Sequence, residues 1–414
     1  MRLKKSTISR LLLVYFCGLI LIAILIQNII AKEIPSELRL VREVKTLMTE
    51  HYYDRSKLPA IIADLEAIEK NPNSAWPDEL KRIFDDLQVS HIGLHTPDEF
   101  KYYELLDVFR FVHADKLKAM YPPDGIVRYP GIGILSSLIN ERYFVALVFA
   151  DTPAAQADIL PGDELVTVDD QEYSPIKSFR GKVGRTVKLT LRREQNGPLL
   201  ERKVIVKALN PTETFVTSTA ASARVIEHKG LKFGYIRLYC FTNDKISQIL
   251  VEKLSGSDFS SADALILDLR GRLGGAPLDT AEIFVGGTPK VESISPTGEI
   301  HTANFRWNKP LVAIIGPETR SGMEIIAYSL KKAGLPLVGT TTKGAVMGGT
   351  TFVLSDGSLL EVPCMDVKVD GMRLEGIGVV PTVYVDAILE YSQGSDPQLE
   401  AAVNKAMEIV GVRQ

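Results

Sequence analysis

Apolar positions along the 414-residue chain change their spacing from one stretch to the next. Residues 11–30 are apolar almost without interruption, and Arg2, Lys4, Lys5 and Arg10 precede them. About twenty such residues are long enough to cross a bilayer as a helix, and long for the core of a cleaved signal peptide. Residues 1–32 are therefore expected to form a single-pass membrane anchor with a cytoplasmic N-terminus. Cleavage after Ala31 is the alternative. From 33 to 122 the spacing is mainly helical: Leu38, Val41, Val44 and Leu47 mark one face, Ile61, Leu65 and Ile68 a second. A turn cluster follows at 71–74, and Leu80, Ile83, Phe84 and Leu87 mark a third helix. From 123 to 210 short strands are punctuated by glycine and proline: Gly131-Ile132-Gly133-Ile134, 143–149, a short helix opening at Thr152-Pro153, a turn at Pro161-Gly162-Asp163, then 187–192 and 202–206. From 211 to 414 strands (235–241, 264–269, 311–315, 335–338) alternate with helices (245–254 and one after Ser321), as in an α/β core. A hairpin is expected at 350–363, turning at Asp356-Gly357, and a last helix at 397–410 with Asp396 as its N-cap. The fold class is thus a multidomain α/β (α+β) chain.

Ser321 stands where the 311–315 strand pattern gives way, through Gly316-Pro317-Glu318-Thr319-Arg320, to helical spacing at Met323, Ile326, Ala327 and Leu330. Gly334 and Pro336 end that helix. Backbone N–H groups are unpaired at a helix N-terminus and the dipole favours negative charge there. The position suits a nucleophilic hydroxyl and the oxyanion it creates, and it equally suits a plain N-cap.

Composition narrows the function classes. Charged residues make up 24% of the chain and the net charge is −3, so no basic excess points to nucleic acid. Cys17, Cys240 and Cys364 form no disulfide framework, leaving Cys240–Cys364 as a single conceivable pair. The six histidines form no metal-ligand cluster, and neither a metal nor an organic cofactor is expected.

Two resemblances make the picture specific. The 123–210 unit resembles a PDZ domain, whose Gly-x-Gly-x loop, here Gly131 to Ile134, implies capture of a chain-terminal carboxylate by backbone N–H groups. The chain after the anchor resembles the carboxyl-terminal-processing and tricorn-type serine peptidases. Residues 85–100, including Ser90-His91, look like their entry segment, and Leu267-Asp268-Leu269-Arg270-Gly271-Arg272-Leu273-Gly274-Gly275 looks like their Asp-Leu-Arg-x-x-x-Gly-Gly loop. Ser321-Gly322-Met323-Glu324 occupies the nucleophile's place, and 374–381 looks like the closing motif.

The processing-protease branch carries its base lysine in a Thr-Phe-Gly-Lys-Gly segment. Here the matching position is Ala345, with Lys343 two residues earlier, so the resemblance is closer to the tricorn-like branch, which uses a Ser-His-Glu-Ser set. That resemblance implies Ser321 as nucleophile, His91 as base, Ser90 and Glu375 behind it, and Gly274 with Gly322 as oxyanion donors. His95 and Lys343 remain rival bases. Together with the anchor read from residues 1–32, it points to a membrane-anchored serine endopeptidase of the periplasm or cell exterior, acting on proteins or peptides, of unspecified oligomeric state. A catalytically silent peptide- or lipid-binding scaffold of the same fold, and an anchored PDZ adaptor, are the competing classes.

Overall fold

The computed structural model describes residues 36–71, 75–275, 278–286, 291–294, 296–303 and 307–413. The expected anchor over 1–32 and the turn residues 72–74 lie outside the described residues. Among the described residues no helix is long and apolar enough to cross a membrane.

The described residues form two compact units, those up to 83 together with 354–356, and those of 84–353 together with 357–413. In the first, helices Ser36–His51 and Leu58–Lys70 bury Val41, Val44, Met48, Ile61, Leu65 and Ile68, the stripes set by their 3.6-residue spacing. Arg42 and Lys45 on the first helix both reach Glu69 on the second at 2.6 Å. A third helix covers Trp76–Asp86.

The second unit opens with strand β1 (Gly93–His95) and helices Phe100–Val108 and Ala114–Met120. Strands β2 (Tyr129–Gly131), β3 (Ile134–Ile139), β4 (Arg142–Val148), β5 (Glu164–Val168), β6 (Gln171–Glu172), β7 (Thr186–Arg192), β8 (Leu199–Ile205) and β9 (Lys207–Leu209) follow. Helix Pro211–Ser222 leads to β10 (Arg224–His228), β11 (Leu231–Arg237), helix Asp244–Ser255 and β12 (Ala264–Asp268). Then come β13 (Val291–Ile294), β14 (Ile300–Ala303), β15 (Leu311–Ile315), helix Gly322–Lys332, β16 (Leu337–Gly339), β17 (Gly348–Val353), β18 (Leu359–Met365), β19 (Val383–Tyr384) and helix Pro397–Arg413.

The core is a sheet in the order β10-β11-β12-β15-β16-β19. From β11 to β19 neighbouring strands run parallel, with Leu267 opposite Ala313 and Ile314 opposite Val338. Helices Asp244–Ser255 and Gly322–Lys332 cover one face, and Pro397–Arg413 the other. Burial on both faces explains why β12 and β15 read as unbroken apolar runs rather than alternating ones. The strand expected at 235–241 ends at Arg237 instead. Residues 238–241 stay buried but leave the sheet to follow the 269–274 loop, Phe241 N–H donating to Gly274 O at 3.0 Å. Hydrophobicity marks burial, not pairing, so the sequence could not show where the ladder stops.

Strands β3, β4, β5, β7 and β8 form a separate antiparallel sheet with its own core around Val145, Leu189 and Val206, and β2 pairs with β9 at its entry and exit. The short helix after Thr152 is a single turn, Pro153–Gln156. Gly133, at φ +89°, must be glycine, because a Cβ there would overlap the Thr152 side chain. Strands β1, β18 and β17 form a third small sheet, with Gly357 at φ +87° in the β17–β18 connection. Cys240 and Cys364 are free thiols.

Candidate active site

Ser321 follows the carboxyl end of β15 and precedes the first residue of the Gly322–Lys332 helix. Its φ of +55° and ψ of −132° are not the extended conformation of an ordinary capping serine. Such a backbone costs about 1–3 kcal/mol in a residue with a Cβ and persists only where the surroundings impose it. They do so here. Ser321 N–H donates to Ala345 O at 2.8 Å and to Glu324 Oε2 at 3.2 Å. The buried Glu324 carboxylate also accepts from Thr342 Oγ1 at 2.5 Å and from the N–H groups of Gly344 and Ala345, both at 2.7 Å. Burial raises the Glu324 pKa while these hydrogen bonds oppose the rise. Segment 342–345 and the first helical turn thus clamp the serine between them.

The second wall is the loop after β12. Asp268, fully buried, meets Arg270 at 2.7 Å and accepts from Tyr235 Oη at 2.9 Å. Burial alone would raise its pKa, but Arg270 and Arg237 hold it well below the usual carboxylate range. Arg270 also forks onto Asp396 at 2.6 and 2.9 Å, tying the loop to the start of the last helix. The loop then reaches Gly274, where a Cβ would overlap Gly322 N and Ser321 Cβ and lie 2.6 Å from Ser321 Oγ. Only glycine lets the backbone pass so close to the hydroxyl. Among the described residues neither Gly274 N–H nor Gly322 N–H has an acceptor. Two unspent donors beside a serine Oγ are what a developing oxyanion requires.

His91 belongs to the turn before β1, at φ +57°, and its ring lies over Gly349 of β17, where a Cβ would come 2.9 Å from His91 Cβ. Behind it stands a short relay. His91 Nδ1 is 2.7 Å from Ser90 Oγ, and Ser90 Oγ is 3.0 Å from Glu375 Oε2. Glu375, buried, also accepts from Ser90 N–H at 2.6 Å, Val346 N–H at 2.7 Å and Met347 N–H at 3.1 Å. Donor accounting fixes the tautomer. An ionised carboxylate only accepts, so the single hydroxyl proton of Ser90 goes to Glu375, and Ser90 Oγ must accept from His91 Nδ1–H. The neutral ring therefore keeps its lone pair on Nε2. Burial, followed by the Arg320 charge, pulls the His91 pKa down to about 4, with Glu361 opposing.

Ser321 and His91 come from opposite ends of the chain, and segment 345–347 joins their surroundings. Ala345 O holds Ser321 N–H, and the next two N–H groups hold Glu375. No hydrogen bond links Ser321 Oγ to His91 in this structure; catalytic contacts are commonly loose before substrate binds. Lys343 is exposed, with its backbone N–H on Thr319 O at 3.0 Å. His95 lies 3.4 Å from Glu99 and 3.3 Å from Glu361. Burial lowers its pKa, but the two carboxylates more than reverse that, so the ring holds a proton more tightly than a free histidine.

Sequence reasoning missed Glu324, Glu361 and Lys101. Glu361 is buried in β18 and 3.5 Å from Lys101 Nζ. A charge in the apolar run Leu359-Leu360-Glu361-Val362 was a usable signal, as was the Ser-x-x-Glu spacing of Ser321 and Glu324, a capping-box signature.

Comparison with known proteins agrees with this geometry. Residues 232–385 match the profile of peptidase family S41. A carboxy-terminal-processing protease of Bartonella bacilliformis is 24% identical over 379 residues, spanning 82% of this chain and 83% of the relative. The photosystem II D1 C-terminal processing protease superposes with a TM-score of 0.50 at 19% identity, covering 88% of this chain and 99% of that one. The tricorn protease gives the same TM-score and identity, over 90% of this chain but 36% of its own length. At those identities the two superpositions establish the fold. Segment 232–385, which carries the Gly274 loop and Ser321, thus resembles the peptidase family S41 domain, and the chain is a serine-type peptidase.

Proposed function

We propose that the chain is a membrane-anchored serine endopeptidase whose catalytic portion lies outside the cytoplasm, in the periplasm or at the cell exterior. Ser321 Oγ attacks the peptide carbonyl while His91 Nε2 takes its proton. Gly274 N–H and Gly322 N–H stabilise the oxyanion, a contribution of roughly 3–4 kcal/mol per donor in hydrolases. His91 then delivers the proton to the leaving amine, and water repeats the sequence on the acyl-enzyme. The observation that carries the reading is the Glu375–Ser90–His91 relay, which leaves the Nε2 lone pair free. A lowered pKa keeps the ring neutral, as a base must be.

The β2–β9 unit is proposed to act as a PDZ domain that takes the C-terminal tail of a protein or peptide. A cavity of about 400 Å³ lies along Gly131, Ile132 and Ile134, walled by Tyr143, Tyr173 and Phe179. Among the described residues the N–H groups of Ile132 and Gly133 have no acceptor, which suits carboxylate capture. Lys101 and Arg272 line the same cavity and add positive charge.

One observation favours the catalytically silent scaffold, the missing Ser321–His91 hydrogen bond. Fluorophosphonate labelling of the full-length protein separates the two. Labelling that disappears in Ser321→Ala and His91→Ala but survives in Lys343→Ala establishes the histidine-based hydrolase. Loss in Lys343→Ala instead would assign the base to that lysine, and no labelling of folded protein, with or without C-terminal peptides, would leave the scaffold.

A further inference from the structure

Arg320 stands immediately before the nucleophile, and the residues on both sides of it are pinned. Thr319 Oγ1 donates to Leu269 O at 2.8 Å, and Thr319 O accepts from Lys343 N–H at 3.0 Å. Ser321 N–H is held by Ala345 O and Glu324. The Arg320 side chain therefore springs from a fixed point whose Cα is about 3.8 Å from that of Ser321. It is half-buried, and among the described residues its guanidinium has neither a hydrogen bond nor an ion pair.

The neighbouring cations are all paired. Arg272 meets Glu104 at 3.3 Å and Glu318 at 3.7 Å. Lys101 meets the buried Glu361 at 3.5 Å, and His95 stands between Glu361 and Glu99. Arg320 shares the field of this cluster. Burial would raise the Glu361 pKa, but Lys101 first, then His95, His91 and Arg320, hold it well below the usual carboxylate range. After burial, Arg320 is also the main influence against protonation of His91. The guanidinium thus lies on the His91 side of the nucleophile and carries one positive charge that no paired carboxylate neutralises.

The geometry of the reaction identifies what that charge meets. In the tetrahedral intermediate the oxyanion points to Gly274 and Gly322, while the leaving nitrogen points to His91, which hands it the proton. The residue that owns this nitrogen is the first after the scissile bond, so its side chain falls on the side of Arg320. We infer that Arg320 is a specificity-determining residue that pairs with an acidic side chain, Asp or Glu, at the first position after the scissile bond. The inference rests on Ser321 being the nucleophile and His91 its base. A planar carboxylate matches the guanidinium fork, and a partly buried pair is screened less than an exposed one. Glu361, in the same field, favours a monoanion over a phosphate dianion. Lysine or arginine at that position meets like charge and is rejected. Arg320 reads a side chain rather than a chain end, so bonds far from a terminus qualify.

The test gives full-length protein peptides that share one free C-terminal tail and differ at a single internal residue, Glu, Gln or Lys. The common tail makes any contribution of the β2–β9 unit equal. Mass spectrometry is expected to place cleavage on the amino side of Glu. Its kcat/KM should exceed that of the Gln peptide by at least about tenfold, with the Lys peptide lower still. Glu and Gln are nearly isosteric, so this comparison stands without any variant. Arg320→Gln should erase the preference and Arg320→Glu should transfer it to Lys, with thermal melting to confirm folding. Equal cleavage of the Glu and Gln peptides, cleavage on the carboxyl side of Glu, or a preference that survives Arg320→Gln would each overturn the assignment. Fluorophosphonate labelling of native Ser321 and peptide binding to Ser321→Ala protein, measured by fluorescence anisotropy, are read separately. Labelling together with equal cleavage sinks only the acidic preference. No labelling, with the Glu peptide bound about tenfold more tightly than the Gln peptide until Arg320→Gln is added, sinks the hydrolase and keeps the acidic subsite. Equal binding without labelling sinks both.

Discussion

Replacing Glu375 by glutamine isolates the relay behind His91. The carboxylate receives four donors, three on Oε2 and one on Oε1. However the amide is turned, its NH₂ faces at least one N–H. One charge-assisted bond is lost and one buried donor is stranded, a destabilisation of about 2–4 kcal/mol. The chemical effect is larger. A neutral amide no longer obliges Ser90 to donate toward position 375, so the hydroxyl can turn and donate to His91 Nδ1, which moves the ring proton to Nε2 and removes the base. Turning the carboxylate of a serine-protease triad into an amide costs about 10⁴ in rate for that reason. With Ser90 interposed, Glu375→Gln is expected to slow labelling by a fluorophosphonate by about 10²–10⁴. The assay is the second-order labelling rate of full-length protein near neutral pH, with thermal melting to confirm folding. A folded Glu375→Gln protein that labels within about threefold of the native rate would refute the tautomer reasoning, whatever its stability.

Gly274→Ala is expected to abolish labelling and lower the melting temperature, since the new Cβ would overlap Gly322 N and Ser321 Cβ; overpacking of this kind costs about 1–3 kcal/mol. The pH profile of labelling should stay flat from neutral down to about pH 5 and fall with an apparent pKa near 4, because burial and Arg320 depress His91 from 6.5 to about 4. The matching stability effect has a definite sign. Between pH 6.5 and about 4 the unfolded chain binds a proton at His91 that the folded chain refuses, so stability falls as pH falls through that window. Urea denaturation at pH 7 and pH 5 measures it for native protein against His91→Ala. Glu324→Gln should weaken the clamp on Ser321, lowering the denaturation midpoint by an amount equivalent to about 2–4 kcal/mol, and a stability within error of native would contradict the clamp.

Much of the second unit was legible because its periodicities are strong. The face formed by Met323, Ile326, Ala327 and Leu330 is buried as its spacing requires, and Asp396 caps the last helix, accepting from Leu399 N–H at 3.0 Å. The run Leu311-Val312-Ala313-Ile314-Ile315 announced a strand covered on both sides. Less legible were β1, at Gly93–His95, and the end of β11, since both depend on which distant backbone offers the next hydrogen bond. β1 pairs with residues 359–361, and no local pattern contains that choice.

The sequence alone determined which residue types were at hand for hydrolysis: a serine at a strand-to-helix turn, a Ser-His pair, paired glycines, and an alanine where a base lysine would stand. Those are covalent facts, legible in one dimension. Tertiary structure decided which groups share a proton network and which stand apart. It put Glu375 285 residues from Ser90 in sequence yet within 3.0 Å of its hydroxyl, and left Lys343 exposed. It also set Arg320, beside the nucleophile, in the same field as His91 and Glu361. The reason is physical. A side chain's chemistry follows from its own bonds, but its protonation, tautomer and partners follow from burial and from the neighbours that folding brings within hydrogen-bond reach.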